Sequence, residues 1–150
     1  MLKVLEQEYE RSPRLKSKFT WVSDPEFTEN RSKRITLSKA QKNEQPIVFD
    51  FMWDHVITSL PGPSKIDVTV LSYAYVLEIP VVTDDDDMLQ LAEVFGVKTY
   101  KSLDLMKLMR DCHHIDHKKV RRIVAYWRYD EDLPKSFTSD YRRLFGEEPP

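Results

Sequence analysis

Thr83 is followed by four consecutive aspartates, Asp84, Asp85, Asp86 and Asp87, and a further acid, Asp67, stands three residues after Ser64. Carboxylates crowded in this way repel one another and raise their own pKa values unless a divalent cation neutralises them. Hard oxygen donors of this kind suit Mg²⁺ or Mn²⁺. A plainer reading uses the same residues differently. An aspartate ahead of a helix is an ordinary N-cap and a favourable partner for the helix dipole, and Asp67 completes a capping box with Ser64 unaided.

Other reactive groupings are weaker. His113, His114 and His117 gather near Cys112, but the second ligand pair that a zinc finger requires is absent. Cys112 is the sole cysteine, so no internal disulfide can form and a reducing compartment is the simplest inference. The three glycines, Gly62, Gly96 and Gly146, build no phosphate loop, which removes P-loop and dinucleotide roles. Trp21, Trp53 and Trp127 could stack on bases, although in periodic apolar settings such residues more often belong to a core.

The elements that must position the acids follow from apolar spacing. Leu2, Leu5 and Tyr9 predict a helix over residues 2–11, stopped near Pro13. Residues 19–22 are a short β-prone run, and 23–44 reads as a loop with room for a short helix. Phe49, Trp53, Val56 and Leu60 predict a helix over 46–60, ended by Pro61-Gly62-Pro63. Ser64 then caps a helix carrying Ile66, Val70, Ala74 and Leu77, with Asp67 in its first turn. Residues 79–82 read as a parallel strand covered on both faces, which puts Thr83 and the aspartates at its C-terminal end, where open α/β sheets place their ligand crevice. Met88, Leu91, Ala92 and Phe95 predict the next helix, closed by Gly96. A strand over 97–100 and a helix from Ser102 follow. Residues 115–129 predict a basic amphipathic helix, and 134–150 a loop with a short aromatic-anchored turn.

The chain has 150 residues, 41% of them hydrophobic, enough for a single domain with its own core. Its 23 Lys and Arg nearly balance 25 Asp and Glu, which argues against a strongly basic nucleic-acid coat. The charged N-terminus does not resemble a secretory signal, and no apolar run approaches the ~20 residues of a membrane span. The expected location is the cytoplasm, with no membrane partner.

The order Ser64-Lys-Ile-Asp67, Leu71-Ser-Tyr-Ala74, Ile79-Pro-Val-Val-Thr-Asp-Asp85, Leu91-Ala92 and Phe95-Gly-Val97 resembles the signature of PIN-domain ribonucleases over residues 64–108. The resemblance implies a three-layer α/β/α fold with a central parallel sheet. It divides one domain into a variable half at 1–63, a metal-site core at 64–108, and a C-terminal helix and tail at 109–150. It carries the family's third acid to Asp67 and its fourth to Asp85, with Asp84 and Asp87 as assisting metal ligands and Thr83 orienting an aspartate or water. The second acid is carried to Glu6, with Glu8 as the competing choice. The first strand and its aspartate have no counterpart before the helix of Glu6, which implies an N-terminally truncated version of the fold.

The activity implied is Mg²⁺- or Mn²⁺-dependent hydrolysis of RNA, with no side-chain nucleophile. Lys118, Lys119, Arg121 and Arg122 are the foremost candidates for RNA contact, joined by Arg142 and Arg143. Toxin-like members of the family form dimers and are held by an antitoxin protein, so an antitoxin and a second copy are the implied partners, docking on an exposed apolar patch. The alternative is a catalytically inactive PIN-like module that binds RNA or protein.

Overall fold

A computed structural model describes residues 2–25, 28–29, 35–131 and 133–150, which fall into two compact units, Met1–Glu78 and Ile79–Pro150.

The first unit is helical. α1 (Lys3–Arg11) stops at Ser12, whose hydroxyl accepts from Leu15 N at 3.2 Å and starts α2 (Pro13–Lys18), with Pro13 at the helical position where its missing N–H is harmless. Residues 19–22, expected as β-prone, instead enter a 3₁₀ turn, Thr20–Ser23, where the Tyr9 hydroxyl donates to Phe19 O at 3.2 Å. α3 (Lys39–Thr58) begins earlier than its apolar spacing predicts. Ser38 and Gln41 form a reciprocal capping box, and Pro46, expected near the helix start, lies inside. α4 (Lys65–Leu77) starts at its own box of Ser64 and Asp67.

α3 and α4 form an antiparallel hairpin. Gln41 Nε2 donates to Val76 O at 2.9 Å and Gln45 Nε2 to Ser72 Oγ at 2.8 Å, while Lys65 Nζ lies 5.3 Å from the Trp53 ring centre at the connecting end. Partners that descend along one helix as they climb the other fix the direction. Met52, Val56, Val68, Leu71 and Ala74 are buried in this unit, and each fully buried large side chain contributes about 1.5–3 kcal/mol. Ser72 is buried with them, and its hydroxyl both accepts from Gln45 and donates to Thr69 O at 2.9 Å, so no polar group is stranded.

The second unit contains the strands among the described residues, and they overturn the three-layer α/β/α expectation. β1 (Val81–Val82) pairs in parallel with β2 (Thr99–Tyr100) across α5 (Asp86–Val94), and this pair is the whole sheet. With 67% helix and 3% strand, the described chain has too little strand to form a central layer. The physical reason lies in residues 79–82. They were expected to be covered on both faces, yet Ile79 is 43% and Val82 45% exposed, and Pro80 has no N–H to give a ladder. Only Val81 N to Lys98 O (2.9 Å) and Thr83 N to Tyr100 O (3.0 Å) flank the pairing.

α6 (Ser102–Asp111), α7 (His117–Tyr129) and α8 (Phe137–Phe145) supply the second unit's main core: Leu103, Met106, Val120, Val124, Phe137 and Tyr141, with Ile115, Ile123, Trp127, Leu144 and Phe145 packed against it. α8 occupies the segment expected as loop and turn, and its Phe137 and Tyr141 are buried. The expectations for 23–44 and for the Trp21 side chain fall partly outside the described residues.

Candidate functional site

The acids of the expected metal centre occur in both units, and in each unit they serve helix starts. Asp67 Oδ2 accepts from Ser64 N at 2.7 Å, and Ser64 Oγ accepts from Ile66 N and Asp67 N at 3.2 and 3.3 Å. Glu6 and Glu8 lie on α1, Glu6 half-buried and Glu8 exposed.

In the second unit, Asp85 is the N-cap of α5, its Oδ1 accepting from Met88 N at 2.8 Å. Thr83 Oγ1 accepts from Asp85 N at 3.2 Å, so it orients that aspartate through the backbone. Asp84 Oδ1 reaches the next helix start and accepts from Ser102 N at 3.1 Å. Asp86 pairs with Lys135 at 3.2 Å, and Asp87 is exposed in the first turn of α5. Of the four aspartates, only Asp86 lines the neighbouring hollow of about 530 Å³, shared with Leu89, Gln90, Glu93, Val97 and Thr99. Among the described residues no three His, Cys, Asp or Glu side chains are grouped to hold one metal ion. The four consecutive aspartates thus make two helix-start hydrogen bonds and one ion pair.

The basic helix is organised more sharply. Val120 and Val124 are fully buried and Trp127 packs on the same core, which takes Trp127 away from base stacking. Lys118, Lys119 and Arg122 are exposed, and their side-chain cations pair with no carboxylate among the described residues, although Asp116 caps the helix on Lys119 N at 2.6 Å. Tyr126 and Tyr129 are 61% and 85% exposed. At about 100° per residue these five side chains occupy an arc of ~100° away from the core, and residues 118 to 129 span ~16 Å along the axis. The Asp130 carboxylate nearby holds the Tyr126 phenol above its ordinary range.

Arg121 departs from this face. Its guanidinium donates to Glu147 Oε1 at 2.7 Å, where the Tyr141 hydroxyl (2.8 Å) and His117 Nε2 (2.9 Å) also meet. Hydrogen bonds from Tyr141, Arg121 and His117 hold Glu147 down at about 2, while burial, then the hydrogen bond to Glu147, pushes Tyr141 up to about 12. Arg142 pairs with Glu148 at 2.6 Å and Arg143 with Asp140 at 3.1 Å, both arginines remaining solvent-exposed. Sequence reasoning missed the α7–α8 clasp; the spacing of Phe137, Tyr141, Leu144 and Phe145 carried its signal.

Among the described residues no helix is long and apolar enough to cross a membrane. No family model, curated protein or solved structure matches the chain.

Proposed function

We propose that this chain is a catalytically inactive RNA-binding module that takes single-stranded RNA on the exposed face of α7. The observation that carries the reading is the shared face of Lys118, Lys119, Arg122, Tyr126 and Tyr129, which leaves three cations and two aromatic rings open to solvent on one rigid helix. Cations in a row follow a phosphate backbone, and aromatic rings beside them stack on unpaired bases whatever the sequence. Near-neutral overall charge does not oppose this, because Lys118, Lys119 and Arg122 are gathered on one face of one helix rather than spread over the chain. Against catalysis by the expected acids stands the helix-start role of Asp67, Asp84 and Asp85, which explains those residues without Mg²⁺ or Mn²⁺.

The test is fluorescence anisotropy with a short mixed-sequence single-stranded RNA, using the parent and Lys118→Ala/Lys119→Ala/Arg122→Ala. The reading predicts binding by the parent and a loss of about tenfold or more in the triple variant. Parallel incubation with Mn²⁺ should leave the RNA intact. Cleavage by the parent that disappears in both Asp67→Asn and Asp85→Asn would replace the binding module with a nuclease.

A further inference from the structure

α3 carries apolar side chains on two opposite sides. Met52 and Val56 face inward and are buried, and the half-buried Gln45 on the same side bonds Ser72 of α4. Rotated about half a turn from them, Ile47 is 57% and Phe51 69% exposed, one helical turn apart. Between and beside them lie Asp50 and Asp54, and the four residues line a shallow depression of about 350 Å³. Ile57, further along the helix, is also 64% exposed.

A helix with apolar residues on more than one face normally has more than one face covered, and contiguous exposed apolar surface marks interaction sites. Charge decides what would cover this one. Asp50 and Asp54 are exposed, repel each other at i,i+4 spacing, and meet no cation among the described residues. The sequence contains no Lys or Arg between Lys42 and Lys65, while Glu44 adds a third exposed acid one turn before Ile47 and two before Phe51. An acidic rim around an apolar centre is the complement of a helix that carries apolar anchors at i, i+4 flanked by Lys or Arg.

We infer that the exposed face of α3 is a docking site for a cationic amphipathic helix of a protein partner. Phe51 and Ile47 seat the partner's apolar anchors, and Asp50 and Asp54 select its flanking cations. The surface is remote in sequence from the face of α7 and does not depend on RNA binding.

The probe is a synthetic amphipathic helical peptide with leucine anchors and flanking lysine and arginine, titrated against the full chain by anisotropy. A control peptide keeps the leucines and replaces every cation with glutamate. The cationic peptide is expected to bind and the control not to. Phe51→Ser is expected to weaken binding at least about tenfold, the scale of a central aromatic anchor. Asp50→Asn/Asp54→Asn is expected to weaken binding and flatten its salt dependence. These side chains are exposed, so circular dichroism of the variants should match the parent. Failure of the cationic peptide to bind the parent, equal binding of both peptides, or unchanged binding by both variants would overturn the inference. So would a parent dimer in sedimentation velocity that Phe51→Ser dissolves, because the face would then belong to a second copy.

Discussion

The hydroxyl of Tyr141, on a fully buried side chain, donates to Glu147 Oε1 at 2.8 Å, and this bond ties α8 to the segment that follows it. Through the same oxygen Arg121 and His117 of α7 join the contact, so one carboxylate gathers donors from two helices. Because the clasp takes Arg121, it also determines which cations of α7 remain for a ligand.

The pair makes stability depend on pH in two windows. Glu147 is lowered from 4.5 to about 2, so its contribution is present above its unfolded value and is lost as pH falls toward 2. Tyr141 is raised from 10.0 to about 12, so its contribution is present below 10 and is lost as pH rises toward 12. Thermal melting should show a plateau with an acid and an alkaline limb. Glu147→Gln should make the acid limb shallower without abolishing it, because Asp111, Asp140 and Glu148 are also held below their ordinary range. An unaltered acid limb in that variant would count against the clasp.

Tyr141→Phe keeps the ring and removes the donor, leaving Glu147 with two partners. The expected cost is about 1 kcal/mol, that of one hydrogen bond. Tyr141→Ala also empties core volume beside Phe137 and Phe145 and should cost about 3–5 kcal/mol. Urea denaturation distinguishes the two, and equal losses would mean that the ring contributes nothing beyond the hydroxyl.

Asp85 as an N-cap makes a different demand from Asp85 as a metal ligand. Asparagine caps about as well as aspartate, so Asp85→Asn should leave stability within a few tenths of a kcal/mol, whereas Asp85→Ala should lose about 1 kcal/mol. Denaturation midpoints in chelator decide this. Equal destabilisation by both substitutions would contradict the capping role.

What could be read from the residues was mostly local. The Ser64–Asp67 box, the stop at Pro61-Gly62-Pro63 and the buried seam of α7 depend on neighbours within a turn, and the structure contains each of them. The sheet could not be read in this way. Strand layers are made by distant pairings, and an apolar run such as 79–82 looks alike whether it is covered on two faces or, as here, left with Ile79 and Val82 exposed. Pro46 masked the true start of α3, although Ser38 and Gln41 carried the capping signal eight residues earlier. The pattern of Phe137, Tyr141 and Phe145 was hidden between flanking prolines. As for the aspartates, composition reports carboxylates in a row, but whether they face a cation or the N–H groups of a helix is set by backbone direction.

The central claim rests on three cations and two tyrosines of α7, and the salt dependence of RNA binding tests it most directly. Single-stranded binding falls with log salt at a slope of about −0.7 per neutralised phosphate, so Lys118, Lys119 and Arg122 together predict a slope near −2. Arg122→Ala should reduce that slope by about 0.7, while Tyr129→Ala should weaken binding with the slope unchanged. Absence of RNA binding at low salt, or a slope that does not respond to loss of the three cations, would contradict the account.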